Sequence, residues 1–301
     1  MTASVAQTTR RRTNRRKPVA YLFVAPFFIL FTTMVVAPLV YAAVASLYRT
    51  QLIGGTQFVG LANYLQAFGD PLFYQGMGRV LLYMLIEIPL TLGLALVFAL
   101  AFDSGRMRGG AASRLLMFLP NAVPAVVAAL MWGYLYGKDF GPVSQLFRAL
   151  GLQPVDLLSE QNVLGAIINI VFWSVLGYTM IILYSALQTI PPELYEAARI
   201  DGASEIRIAL SIKMPALLPS LALTGVLAII GGFQLFNEPN LLMPMAPQSI
   251  SSAFTPNMYI YRTAFASGNI GYATAMSIIL GLIIIIVAVA MQLSSRRKVQ
   301  R

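Results

Sequence analysis

The sequence predicts an all-α integral membrane protein with six transmembrane helices and a cytoplasmic helix-turn-helix between the fourth and the fifth. Three observations carry this. The 301-residue chain is 58% hydrophobic and 11% charged, where soluble domains carry about 25% charged residues. Six stretches reach the roughly 20 mainly apolar residues that a helix needs to cross a bilayer. Basic residues gather on one side of that pattern, and such an asymmetry sets orientation.

Residues 1–18 form a basic arm with Arg10, Arg11, Arg12, Arg15, Arg16 and Lys17. Polybasic arms can bind nucleic acid. This one directly precedes a span, which reads instead as a topology signal facing anionic lipid. The net charge of +10 therefore calls for no nucleic acid. The first span, 19–48, holds Pro26 and Pro38 and is expected to kink or tilt. Ala43-Val44-Ala45 resembles a signal-cleavage site, but the apolar run before it is far longer than a signal h-region. An uncleaved span is expected.

The second span, 80–102, carries Glu87, the one acidic residue within a predicted span core, close to Pro89. An ion-coupled transporter uses such a carboxylate. It can equally bond a neighbouring helix or backbone freed by the proline. The third and fourth spans are 115–136 and 163–187, the fifth 217–236 and the sixth 272–293. The longest outer loop, 237–271, is rich in Pro, Ser and Asn. It suits contact with a soluble partner or serves as a solvated connector. Residues 294–301 form a basic tail, so the six-span domain covers 19–293.

With both termini cytoplasmic, the inside holds the arm, then Arg106, Arg108 and Arg114, then Arg199, Arg207 and Lys213, then Arg296, Arg297, Lys298 and Arg301. The outside holds Arg49, Arg79, Lys138, Arg148 and Arg262. The polar loop at 188–219 is thus cytoplasmic.

Chemistry is thinly supplied. There is no cysteine and no histidine, which removes disulfides, thiolate metal sites and the commonest general base. A phosphate-binding loop needs G-x(4)-G-K-[ST]. Gly133-Tyr134-Leu135-Tyr136-Gly137-Lys138-Asp139 is one residue short, ends in Asp and falls at the outer face. The chain is expected to have no catalytic residues, no metal site and no bound cofactor.

The loop at 188–219 has its own logic. Pro191-Pro192 stops the fourth span, and Pro192 can open a new helix at no cost in hydrogen bonds. Glu193 and Glu196 are expected in its first turn, the side the helix dipole favours. Ala197 and Ala198 let another helix approach closely. Gly202, helped by Ser204, permits a sharp turn. Ile206, Ile208, Leu210 and Ile212 give apolar surface to a second short helix, which Pro215 and Pro219 end.

These residues carry a resemblance. Glu196-Ala197-Ala198, Gly202, Ile212 and Pro215 match the E-A-A-x(3)-G-x(9)-I-x-L-P loop of permeases driven by ATP-binding cassettes, with Met214 where Leu is usual. Ile190-Pro191-Pro192-Glu193-Leu194-Tyr195 and Ile200-Asp201-Gly202-Ala203 resemble the carbohydrate group of the maltose type. The segment 259–275 looks like that group's lead into its last span. The usual L-T-x-G-G-P is absent, and Leu242-Met243-Pro244-Met245-Ala246-Pro247 stands there instead.

The resemblance implies the permease of a type I importer in the cytoplasmic (inner) membrane. It works with a second six-span permease subunit, a cytoplasmic ATPase dimer that holds the ATP and Mg, and an extracytoplasmic solute-binding protein. Glu196 would meet the ATPase, Gly202 would allow the turn, and Asp201 would cap or brace the second helix. Trp173-Ser174-Val175-Leu176-Gly177-Tyr178 resembles the W-x-G-x-x-Y stretch lining the sugar site of maltose-type permeases, with Val175 in place of the glycine. Trp173 and Tyr178 by this match, Gln234 and Glu238 by their position in the corresponding region, and Asn169 as a polar residue within a span are candidates for a sugar path, against the plainer reading of lipid or helix packing. The implied cargo is an oligosaccharide of two or three units. Glycerol phosphate is the alternative, although no predicted span core holds a basic residue for a phosphate. Two other classes stay open: an ion-coupled transporter using Glu87, and a membrane anchor or sensor that recruits an ATPase.

Overall fold

Backbone polar groups left open in lipid are costly, so long apolar stretches fold as helices. The computed structural model describes residues 18–51, 55–104 and 110–299. Residues 1–17 of the basic arm, Arg106, Arg108 and Arg301 lie outside the described residues, as do the side chains of Arg296, Arg297 and Lys298.

The first span is α1 (Pro18–Phe31), a five-residue π-helical segment Thr32–Val36, and α2 (Ala37–Ala45). Pro38 has no N–H to give to the preceding turn, and the wider π register absorbs that mismatch. The Thr33 hydroxyl donates to the Ile29 carbonyl at 2.8 Å, which also loosens the helix locally. A two-stranded antiparallel hairpin follows, β1 (Tyr48–Gln51) and β2 (Gly55–Phe58), with Tyr48 opposite Phe58. Nothing in the sequence reading anticipated it. It is held from α3 (Ala62–Phe68), where the buried Asn63 amide donates to the Ser46 and Tyr48 carbonyls at 2.8 and 2.9 Å.

The second span, α4 (Pro71–Asp103), has 33 residues, about 50 Å at 1.5 Å per residue. It starts well before the predicted residue 80. Asp70 caps it, accepting from the Leu72 N–H at 2.9 Å, and Pro71 occupies a first-turn position that needs no donor. Arg79, expected in an outer loop, lies within this helix with its guanidinium 5.3 Å from the Phe254 ring centre.

The third span corrects the reading. Instead of one helix over 115–136, the chain forms α5 (Gly110–Phe118), a 3-10 turn Leu119–Ala122 and α6 (Ala125–Leu135), bent by 95°. Val123 is extended, with ψ 125°, as the residue before Pro124 must be. Among the described residues five helical runs are long and apolar enough to span, and the bent pair, taken as one span, makes a sixth.

After α7 (Pro142–Ala149) comes the fourth span, α8 (Val163–Leu187), at the predicted bounds. The two short helices α9 (Pro192–Ile200) and α10 (Glu205–Ile208) lead through a second π segment, Ala209–Lys213, into α11 (Met214–Phe233). Then follow α12 (Asn237–Leu242), α13 (Pro256–Phe265) and α14 (Ile270–Val299).

α4, α8, α11 and α14 form the body of the bundle, and Ile167, Ile170, Phe233 and Met276 are fully enclosed in its core. Glycines let the elements close. A Cβ on Gly177 of α8 would fall 1.8 Å from the Met117 carbonyl oxygen of α5. The connector after α11 is partly packed in: Pro239, Leu242, Ile250, Phe254 and Met258 are buried, while Pro244, Met245, Pro247, Gln248 and Ser251 are exposed. α12 packs against α6, where a Cβ on Gly133 would meet Leu242 and Met245.

Candidate functional site

Two places bring the sequence-derived residues together: the knob formed by α9 and α10, and a cavity among α4, α8 and α11.

Pro191 is extended and α9 opens at Pro192 with Glu193 in its first turn. Glu196 sits one turn further on than expected and is exposed, as is Ala197, while Ala198 is half-buried. The end of α9 is set by Gly202 at φ +80°, a conformation that glycine adopts without strain. There the Ala203 N–H donates to the Ala198 carbonyl at 2.9 Å and the Gly202 N–H to the Arg199 carbonyl at 3.0 Å. Both bonds satisfy carbonyls that the helix end leaves open.

The cap of α10 is Ser204, whose hydroxyl accepts from the Arg207 N–H at 3.3 Å. Asp201 does not cap it: it is the exposed residue that follows the last position of α9. It stands three residues before Ser204, whose own hydroxyl takes the open N–H. Arg199 and Glu205 pair at 3.0 Å and tie the two helices together. Of the expected apolar face, Ile208 turns inward and is buried, while Ile206 and Leu210 are 73% and 64% exposed; Ile200 is 86% exposed. Ile212 is half-buried and Pro215 is exposed in the first turn of α11.

Behind the knob lies a cluster that sequence reasoning missed. Lys213, seen only as an orienting charge, points inward. Its ammonium is 2.5 Å from Asp103 Oδ2, and the two side chains are 7% and 6% exposed. The Gln188 amide donates to Asp103 Oδ1 at 2.9 Å. The Lys213 ammonium also lies 4.9 Å from the Tyr195 ring centre. Burial, and then the Asp103 charge, push the Tyr195 phenol above its ordinary pKa.

The cavity, about 350 Å³, is lined by Tyr83, Glu87 and Thr91 of α4, Val175, Tyr178 and Thr179 of α8, and Gln234, Asn237 and Glu238 at and after the end of α11. Tyr178, Gln234 and Glu238 thus meet on one cavity. Trp173 and Asn169 do not line it. Trp173 packs edge-on to Trp132 at 5.8 Å, and Asn169 donates to the Tyr136 hydroxyl at 2.6 Å. Glu87 lines the cavity and accepts from the Thr91 hydroxyl, one turn along the same helix, at 2.7 Å. Tyr83, Thr91, Thr179 and Asn237 were not anticipated. A four-residue spacing from Glu87 to Tyr83 and to Thr91 was the available signal, since such residues share a helix face.

At the opposite end from the knob, Asp70 Oδ2 accepts from Tyr259 of α13 at 2.7 Å and from Tyr272 of α14 at 2.6 Å. Burial works against the charged carboxylate, but these bonds and those from the Leu72 and Phe73 N–H groups outweigh it, holding the Asp70 carboxyl below its usual range. Burial, then the bond to Asp70 and its charge, push the Tyr259 phenol up to about 12.

The comparisons with known proteins converge. Residues 91–300 match the family of binding-protein-dependent transport system inner membrane components. The probable ABC transporter permease protein YurN of Bacillus subtilis (strain 168) is 30% identical over 285 residues, 93% of this chain and 95% of that protein. The arabinooligosaccharides transport system permease protein AraP of the same organism is 28% identical, over 94% of this chain and 90% of that protein. The fold matches a chain in the crystal structure of a bacterial alginate ABC transporter in complex with an alginate pentasaccharide-bound periplasmic protein. The TM-score is 0.84 at 21% identity, covering 95% of this chain and 96% of the other.

Proposed function

This chain belongs to the family of binding-protein-dependent transport system inner membrane components, and on that premise we propose that it carries a sugar, an oligosaccharide, across the cytoplasmic membrane as the permease subunit of an ABC importer. The observation that carries the sugar reading is the cavity among α4, α8 and α11. Tyr83 and Tyr178 offer aromatic faces there, and Thr91, Thr179, Gln234, Asn237 and Glu238 offer hydrogen-bonding groups. A polyhydroxylated ring asks for that mixture. The cargo named for the AraP relative, arabinooligosaccharides, supports it.

In this reading α9 and α10 dock on a cytoplasmic ATPase, which alone binds ATP and Mg. Glu196, Ala197, Ala198 and Gly202 present the contact, with the exposed Ile200, Ile206 and Leu210 around them. Asp201 takes part in the docking surface rather than in capping; Ile212 and Pro215 fix the return into α11. ATP binding closes the ATPase dimer, the knob moves, and the spans pass between inward- and outward-facing arrangements. This is a two-state element biased from a distant site. A second permease subunit completes the pathway, and a solute-binding protein delivers cargo to the face opposite the knob. Both termini and the knob are cytoplasmic, in keeping with the positive-inside rule. Trp173 and Asn169 belong to the packing between α8 and α6 rather than to the cavity wall.

One observation favours a second reading. Glu87 faces the cavity, as an ion-coupled carrier would require. Uptake of labelled sugars in a strain deleted for this chain separates the readings. The importer predicts that one sugar class is lost, is restored by the wild type and by Glu87→Gln, and is not restored by Gly202→Asp. Restoration by Gly202→Asp and failure with Glu87→Gln would replace it with ion coupling. Sugar uptake indifferent to the chain would remove the sugar assignment altogether.

A further inference from the structure

The knob is joined to α11 by a π segment, Ala209–Lys213, where the helical register is loose. A push on α9 and α10 could be absorbed there and lost. Lys213, the last residue of that segment, is instead bound sideways. Its ammonium pairs with Asp103 at the end of α4 at 2.5 Å. Gln188, at the end of α8, donates to the same carboxylate at 2.9 Å. The ring of Tyr195, on α9, covers the ammonium at 4.9 Å. Four elements therefore meet on one enclosed ion pair.

Such a pair is a weak source of stability, since apolar residues of similar volume serve as well or better. Its distinctive property is that the two charges resist separation: parting them leaves each uncompensated in a site closed to water. Any movement of the knob that keeps the pair together must carry the cytoplasmic-facing ends of α4 and α8 with it. These two helices also form walls of the cavity, through Tyr83, Glu87, Val175 and Tyr178.

We infer that the Lys213–Asp103 pair, braced by Gln188 and Tyr195, is the rigid link that transmits movement of the knob to α4 and α8. Lys213 and Asp103 are positioning residues in this role. The inference rests on the reading that an ATPase drives the knob.

The test uses the complete importer in proteoliposomes, with sugar uptake and ATP hydrolysis both measured per assembled complex. Lys213→Met and Asp103→Asn are expected to keep hydrolysing ATP while the sugar moved per ATP falls by about tenfold, within the usual range of coupling between sites. The exchanged pair, Asp103→Lys with Lys213→Asp, is expected to regain most of the ratio. A merely structural role would lower uptake and hydrolysis together through loss of complex. An unchanged ratio in both single variants overturns the link.

A second measurement leaves the pair intact and does not depend on those variants assembling. The chain has no cysteine, so spin labels at Val97→Cys on α4 and Glu193→Cys on α9, both exposed, report their separation directly. The link predicts the same separation with and without ATP. A change between the two states overturns it. A wild-type importer without ATP-driven uptake contradicts the importer reading itself. Normal wild-type uptake with labels that move apart contradicts only the link.

Discussion

Gly202 shows how one residue holds the knob in shape. Its φ of +80° costs an ordinary L-residue about 1–2 kcal/mol, and no atom lies within 4 Å of where a Cβ would sit. The demand is on the backbone alone. Asn and Asp visit this conformation more readily than branched residues. Gly202→Val should therefore lower stability by about 1–2 kcal/mol, measured as a drop in Tm of the detergent-solubilised chain, and Gly202→Asn by less. Gly202→Asp should remain folded yet place a charge in the middle of the docking surface, so its loss of uptake would not come from collapse. Asp70 makes a second prediction at this scale. Its carboxyl titrates below its ordinary value in the folded chain, so its stabilising effect is present above the unfolded pKa of about 3.9 and is lost as pH falls through the folded value. Asp70→Asn should cost about 1.5–3 kcal/mol at neutral pH, the range for hydrogen bonds to a charged group. The gap between variant and wild type should stay level from about pH 8 to 5 and close below about pH 4.

At the scale of elements, close approach decides what the bundle tolerates. α5 meets α8 where Gly177 lies under the Met117 backbone, and backbone cannot swing aside as a side chain can. Gly177→Val should destabilise by about 3 kcal/mol, the upper end for overpacking, seen as loss of folded protein in size-exclusion chromatography, whereas a change at the open Gly93 should be tolerated. The elements also show what a sequence displays and what it hides. The bounds of α8 could be read directly, because Pro191 and Pro192 end an apolar run sharply. The knob was equally legible, since proline, glycine and serine each act on their own stretch of backbone. Pro120 and Pro124 were visible, yet the run around them stayed apolar, so hydropathy alone gave one straight span where the chain turns by 95°. The β1–β2 hairpin escaped notice because Asn63, beyond both strands, supplies part of what holds it. The pair of Lys213 and Asp103 joins residues far apart in the chain, which periodicity cannot bring together. Tyr178, Gln234 and Glu238 were reached through family resemblance, whereas Tyr83 and Thr179 became cavity residues only once helix rotation was known.

For the molecule as a whole, the knob and the cavity sit at different depths of one bundle, and α4 and α8 run between them. That arrangement suits a machine in which energy enters at one face and cargo moves past the middle. In the importer reading Glu87 serves the cavity wall and not a proton relay, so ATP-driven uptake with Glu87→Gln should persist in vesicles without any ion gradient. The measurement that tests the central claim most directly is uptake of a panel of labelled sugars by cells deleted for this chain and complemented with wild type or Gly202→Asp, the amount of membrane-inserted chain being matched. The account predicts that one class of oligosaccharide enters with the wild type and not with the variant. Equal uptake with both, or no sugar whose entry depends on the chain, would contradict it.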